Sequence, residues 1–343
     1  MRKKKSDWRT MLNETKHINI SFVPYIMKIA LIGPGIMPIP PKAWGAVEIL
    51  IWDYYSELTR LGHQVTIVNT KDREEIVRQC NSVPFDFVHL HYDVYYDILD
   101  KLTCPNIAIT SHYPYIDQPG IHWKDGYSNI FTFLCEQTKY YNFVLADKDK
   151  ETFIKYGANL LKIKKIKNGI DSEKFSFLPL PIYNKTMYLG QITPRKNQAK
   201  YQNIPTIEFV GGCNDPNFNQ LGVSYWGEWP REKIQQDLTK YANLLLISEG
   251  EADPLVVKEA LIAGLGVVIN RSSAENLDMS KDFITVIDDE KKDDIEYIRA
   301  LLEENKKIAK RKRAEIRQYG IEQFDIKKEC EKYLDILHNI VNK

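Results

Sequence analysis

A chain of 343 residues has room for two domains at ~100–200 residues each, and its 43% hydrophobic content gives each a sizeable core. The formal net charge of +1 excludes a global electrostatic pull toward nucleic acid. The five cysteines are scattered and odd in number, with no metal-ligand spacing. They read as ordinary thiols of a reducing, cytoplasmic compartment, not as a disulfide framework.

Residues 1–26 read as a tail. Arg2-Lys-Lys-Lys5 resembles the start of a signal peptide, but Ser6 to Asn19 is polar and no apolar segment follows. No run approaches ~18 consecutive apolar residues, so no spanning helix is expected. The basic tail could touch anionic lipid, which leaves peripheral contact at a membrane surface open.

The fold is expected to begin at Met27-Lys-Ile-Ala-Leu-Ile-Gly33, an apolar strand entering a glycine turn. Pro34 to Pro41 carries four prolines, which fix φ and remove donors, so it is a stiff loop. A helix opening at Trp44-Gly45 carries Ile49, Ile51, Tyr54, Leu58 and Leu61 at helical spacing and stops at Gly62. Gln64 to Val68 completes a βαβ unit. There is no G-x-G-x-x-G, which disfavours a nicotinamide dehydrogenase. Phe85–His91, Asn106–His112, Phe131–Cys135 and Phe143–Ala146 read as further buried strands. His112 closes one of them, at the sheet edge where α/β folds place ligand-facing residues. His89 and His91 share one face of their strand, without a carboxylate cluster to make a metal site. Asp147 is placed to cap a short helix, and Lys162–Lys167 alternates as a half-exposed strand.

Asn168-Gly-Ile-Asp171 is a turn, and Pro179 and Pro181 mark a linker. The domains are therefore drawn at 27–182 and 183–322, with a last helix over 323–343. Lys185–Gly190 and Pro205–Gly212 are strands, and Arg231 to about Tyr241 is a helix. Phe283–Ile287 is a late strand. Lys291–Tyr319 and Phe324–Val341 are helices.

The most informative stretch runs from Glu251 to Asn270. It follows the apolar run Ala242–Ser248, and Leu265–Ile269 is apolar enough to be the next strand. Between them Asp253 reads as an N-cap, with Pro254 at the first helical position and Gly264 as the stop. A helix N-terminus attracts anions through its unpaired N–H groups, whereas carboxylates beside it suit hydroxyls. Glu251 on the loop and Glu259 in the helix thus point to a sugar nucleotide.

Glu251-x7-Glu259 with Ala260-Leu-x-Ala-Gly264-x-x-Val-Val resembles the E-x7-E signature of family-four glycosyltransferases. Gly45-Ala46, Gly62-His63-x-Val65, Asn168-Gly-Ile-Asp171-x-x-x-Phe175 and Gln191-x4-Lys196 are similar to further family motifs. The resemblance implies the GT-B fold: α/β, two Rossmann-like doubly wound domains facing across a cleft, with the last helix returning to the first domain. It implies a retaining glycosyltransferase of the hexosyl type with a nucleoside-diphosphate sugar as donor. Glu259 would bind the ribose, Glu251 and His112 the sugar at the reacting centre, and Lys196 with Arg195 the diphosphate. Gly45, Gln191, Asp253, Leu255 and Val256 would complete the donor site. No metal or other cofactor is implied. Acceptor contacts are expected near Trp44, Tyr92 and Tyr113, for a glycan, lipid-linked or small-molecule hydroxyl. Tyr95, Tyr115 and Trp123 are further aromatics available there. The chain departs from the family at Ala252, Pro254 and Gly266, and Gln191 stands where the family has Arg. Those departures leave a non-catalytic nucleotide-sugar scaffold as the alternative, with a sugar-nucleotide epimerase behind it.

Overall fold

The computed structural model describes residues 25–222 and 224–342. The basic tail and its membrane contact fall outside the described residues. Among the described residues no helix is long and apolar enough to cross a membrane.

The first domain runs β1 Lys28–Ile32, α1 Ala46–Arg60, β2 Gln64–Val68, α2 Arg73–Asn81, β3 Phe87–Leu90 and β4 Ile107–Thr110. It continues with α3 Ser128–Glu136, β5 Tyr141–Val144, α4 Asp147–Lys155 and β6 Ile163–Lys165. Its six strands are parallel in the order β2-β1-β3-β4-β5-β6. The second domain runs β7 Thr186–Leu189, α5 Gln198–Tyr201, β8 Ile207–Val210, α6 Arg231–Asp237 and β9 Asn243–Leu246. Then come α7 Leu255–Ile262, β10 Gly266–Ile269, β11 Ile284–Val286, α8 Ile295–Phe324 and α9 Ile326–Val341. Its five strands are parallel in the order β11-β10-β9-β7-β8.

Parallel sheets need both faces covered, so their central strands read as continuous apolar runs. β3, β4, β5, β7, β8, β9 and β10 are buried along their whole length. The edge strand β2 alternates instead. In each sheet the first strand sends the chain one way and the third back to its other side. The switch points therefore lie between β1 and β3, and between β7 and β9. Ligands of open parallel sheets bind outside the strand ends at such points.

Two sequence readings are corrected. Phe131–Cys135 is not a strand but part of α3. Its buried residues Phe131, Leu134 and Cys135 fall at a helical period, which outweighs the β propensity of Phe-Thr-Phe. Asp253 does not cap α7: Pro254 holds the cap position and no side chain caps the helix. The structure adds α2, which buries Ile76 and Cys80 and packs Val77 against the core; Asp72 caps it, accepting from the Glu74 and Glu75 N–H groups at 2.9 and 3.2 Å.

The last helix does return. Tyr333, Leu337 and Ile340 of α9 pack with Leu50, Tyr54 and Leu58 of α1 beneath the first sheet. Asp325 caps α9, accepting from the Lys327 N–H at 2.8 Å, and also accepts from Ser172 Oγ. Ile170 and Phe175 already belong to the second domain's core, ahead of the boundary drawn at 182.

Candidate functional site

A cleft of about 680 Å³ opens between the strand ends of the two sheets. It is lined by the loops after β1, β3 and β4 on one wall and after β7, β8 and β9 on the other.

On the first wall α1 starts at Gly45, whose φ is 125°. A Cβ there would stand 2.9 Å from the Glu48 carboxylate, so only glycine suits the turn. Glu48 is buried, and burial raises its carboxyl above the ordinary range against hydrogen bonds from its own and Met37's backbone. Trp44 stays 46% exposed at the rim. Tyr92 and Tyr113 also line the cleft; Tyr113 stacks on Tyr127 with centroids 3.9 Å apart and donates to Asp125 at 2.8 Å. Other aromatics serve elsewhere. Tyr95 is buried and donates to the Pro34 carbonyl at 2.7 Å, holding the proline loop. Trp123 is exposed and away from the cleft lining.

Three histidines descend from the cleft floor. His112 and His91 line it with ring centroids 5.9 Å apart; His89 lies 3.8 Å below His91. His89 is satisfied by Tyr333 Oη at 3.0 Å and Thr110 Oγ1 at 2.8 Å. Among the described residues His91 has no hydrogen-bond partner at either nitrogen and His112 none at Nε2. Burial pushes His112 down to about 4, against the pull of Asp253, and pushes His91 well below its ordinary value. Both are neutral near pH 7 and can exchange hydrogen bonds with a hydroxyl. His63 accepts from the Met27 N–H at 3.2 Å, as a turn residue should. Among the described residues no group of three or more His, Cys, Asp or Glu is arranged to hold a metal ion.

The second wall is built around the loop after β9. Asn270 clamps Ser248 with two hydrogen bonds, at 3.2 and 2.7 Å, fixing the point where the chain leaves the sheet. Arg195 Nη1 then donates to Ser248 Oγ at 3.0 Å, to the Gly250 carbonyl, and to Glu251 at 3.2 Å. Lys196 Nζ lies 3.1 Å from the same Glu251 oxygen. Burial alone would raise the Glu251 carboxyl, but Lys196 and Arg195 outweigh it and hold it below the ordinary range. Gln191 lines the cleft beside them, its carbonyl accepting from Gln198 at 3.0 Å.

Leu255 and Val256 bring the first turn of α7 to the cleft, where its leading N–H groups face the opening. Glu259, one turn on, is buried and meets Arg231 Nη1 at 2.6 Å. Asp253 borders the cleft, but its carboxylate is fully buried in an ion pair with Lys258. It also accepts from the Asn168 N–H at 3.0 Å and from Asn276 at 3.1 Å. Asp253 therefore fastens the Asn168 turn to the loop after β9, and its carboxylate is turned away from the cleft opening and into that ion pair.

Of the residues singled out from sequence, Trp44, Gly45, Tyr92, His112, Tyr113, Gln191, Arg195, Lys196, Glu251, Asp253, Leu255, Val256 and Glu259 all line this one cleft. Sequence reading missed Glu48, His91 and Arg231. Glu48 lies two residues past the Gly45-Ala46 turn, and His91 enters the sequence reading only as a neighbour of His89 on its strand. Arg231 had no motif, only its place at the start of a helix after Pro230.

No family model matches the chain, and no curated protein matches it. Solved structures do. HepE from Anabaena, in complex with UDP-glucose, is 15% identical with a TM-score of 0.68, over 91% of this chain and 100% of that one. Sucrose-phosphate synthase from Thermosynechococcus elongatus is 13% identical with a TM-score of 0.70, over 91% and 98%. AviGT4, a glycosyltransferase involved in avilamycin A biosynthesis, is 14% identical with a TM-score of 0.66, over 92% and 98%. At that identity the likeness concerns the fold: two parallel-sheet α/β domains across a cleft, the GT-B architecture of these glycosyltransferases.

Proposed function

We propose that the chain is a retaining glycosyltransferase that moves a sugar from a nucleoside-diphosphate sugar to a hydroxyl acceptor. The observation that carries this is the second wall of the cleft. Two buried carboxylates flank the open N-terminus of α7, and two cations, Arg195 and Lys196, converge on the first of them. Carboxylates accept from hydroxyls, and the cations with the helix end bind phosphates, so the wall has the polarity of a sugar nucleotide. The complex of the similar HepE with UDP-glucose supports the reading.

In this reading Glu259 accepts from the ribose, and Glu251 with neutral His112 hydrogen-bonds the sugar. The diphosphate draws Lys196 and Arg195 from Glu251 as it binds. The bond from the anomeric carbon to the phosphate oxygen breaks through an oxocarbenium-like state. The acceptor oxygen bonds that carbon on the face the phosphate leaves, and its proton passes to the leaving phosphate. Lys196 and Arg195 stabilise the charge that develops there, which is positioning and electrostatic catalysis. The acceptor, a glycan, lipid-linked or small hydroxyl compound, lies against Trp44, Tyr92 and Tyr113.

A second reading, a nucleotide-sugar-binding scaffold without turnover, is favoured by the neutral Gln191 and by the pairing of both cations with Glu251. A thermal-shift screen against UDP-, GDP-, ADP- and dTDP-sugars separates the possibilities. Stabilisation by one of them, lost in Glu259→Ala, supports the donor site. Release of the free nucleoside diphosphate in the presence of acceptors then selects transfer over the scaffold. No stabilisation by any of the sugars argues against both.

A further inference from the structure

We propose that Arg231 binds the donor diphosphate, bringing to the site the positive charge that Gln191 does not. The inference rests on the reading of the cleft as a nucleoside-diphosphate-sugar site.

The two walls of the cleft differ in charge. Among the described residues lining it, the first domain contributes the carboxylates of Glu48, Asp93 and Asp125 but no lysine or arginine. A diphosphate is therefore repelled from that wall and must take its countercharge from the second domain. The cations there are Arg195, Lys196 and Arg231. Arg195 and Lys196 already share one oxygen of Glu251, and Arg195 is tied further to Ser248 and Gly250. Both cations are thus already engaged with Glu251, and Glu228 and Glu259 add further carboxylates to that wall.

Arg231 is the third cation of the lining, and the one not engaged with Glu251. It opens α6, and its Nη1 lies 2.6 Å from Glu259. Its side chain is only 12% exposed, and its guanidinium carbon sits 5.3 Å from the centre of the Phe175 ring. Its own N–H donates to the Lys42 carbonyl of the first domain at 3.0 Å, so the residue is anchored on both sides of the cleft. The ion pair with Glu259 is made through Nη1, and a guanidinium carries five N–H donors in a fixed fork, so it can hold a carboxylate and a second anion together. In a nucleotide the first phosphate is joined to the ribose through a single methylene. With only that methylene and the ester oxygen between ribose ring and phosphate, a guanidinium in contact with the carboxylate that holds the ribose is within reach of that phosphate.

Arg231 could instead act only by holding Glu259 in place for the ribose. Calorimetric titration of the full chain with UDP, GDP, ADP and dTDP, and competition by the matching nucleosides, distinguishes the roles. Arg231→Gln is expected to weaken the diphosphate by about 10- to 100-fold, the loss of one charge-assisted hydrogen bond. The nucleoside should change by less than about twofold, and Arg231→Lys should recover part of the diphosphate affinity. Melting of the unligated variants checks that they fold, and Arg231→Lys carries the comparison if Arg231→Gln does not. Unchanged diphosphate affinity overturns the proposal. So does an equal loss for nucleoside and diphosphate, which assigns Arg231 to Glu259 alone. If the unaltered chain binds none of the four diphosphates, the reading of the cleft fails first and this inference falls with it.

Discussion

Glu251 and Glu259 stand eight positions apart in the chain and meet different cations, Lys196 with Arg195 in one case and Arg231 in the other. Lys196 is the cation closest to Glu251 and, in the proposed reaction, to the leaving phosphate. Lys196→Ala is expected to lower kcat/KM by about 10²–10³-fold, the usual loss when one preorganised charge donor is removed; steady-state transfer assays read it. Because Lys196 and Arg195 supply that charge, transfer is expected to proceed unchanged in EDTA, and a complete loss would require a metal at the site. His112 gives a prediction in pH. Its unfolded value is about 6.5, and the folded one is about 4 through burial. Between those values the unfolded chain binds a proton that the folded chain refuses. Stability is therefore full above the upper value and falls toward the lower, at no more than about 1.4 kcal/mol per pH unit. Asp53 and Asp149, raised by burial to about 6 and about 8, act in the opposite direction. The comparison is therefore with His112→Asn: its urea midpoint should change less between neutral and mildly acid pH than that of the unaltered chain.

At the scale of elements, α9 shows how one helix secures a domain formed far earlier in the chain. Leu337 is fully buried against the α1 face of the first sheet. Leu337→Ala should destabilise by about 2–5 kcal/mol, the range for a buried Leu truncation, in a denaturant titration. α7 is the element on which the site depends, and its sequence is legible: a strand, an acidic loop, a short apolar helix and a stop at Gly264. The α3 segment reads as a strand because three of its five residues, Phe131, Thr132 and Phe133, carry aromatic or β-branched side chains. Propensity there is weaker than the pattern of burial, and burial comes from the α3 contacts with the rest of the domain. α2 is hard to read from sequence because six of its nine residues are polar or charged and only Ile76 and Cys80 are buried.

For the molecule as a whole, polar contacts around the cleft join the two domains beside the apolar packing of α9 on α1. Lys148 donates to the Glu251 carbonyl at 3.2 Å, and Asn276 to the Leu145 carbonyl at 2.8 Å. At the same junction a Cβ on Gly250 would stand 2.4 Å from the Tyr115 ring and 2.9 Å from the Pro114 carbonyl. Gly250→Ala should push the walls apart and lower kcat/KM by about 10- to 100-fold, the effect of a misplacement near 1 Å. Tyr115→Ala in the same chain should restore part of it. If Gly250→Ala leaves kcat/KM unchanged, closeness at this junction is not needed for transfer.

The sequence by itself determined what short-range patterns can encode. Apolar runs bounded by glycine and proline gave the strands of both sheets. The two glutamates with seven residues between them, set at a helix start, marked a stretch that lines the cleft, and the resemblance added Lys196. These signals are local because strand burial, helix period and the position of a carboxylate on its own helix are set within a few residues. Only the tertiary structure decided which groups meet across elements. It paired Glu259 with Arg231 from α6, turned both Arg195 and Lys196 onto Glu251, and buried Asp253 against Lys258 where a helix cap was expected. It also separated Trp44, Tyr92 and Tyr113, which line the cleft, from Tyr95 and Trp123, which do not. Those outcomes depend on how the two sheets approach and on which charges become desolvated together, and no local stretch of the chain contains that information.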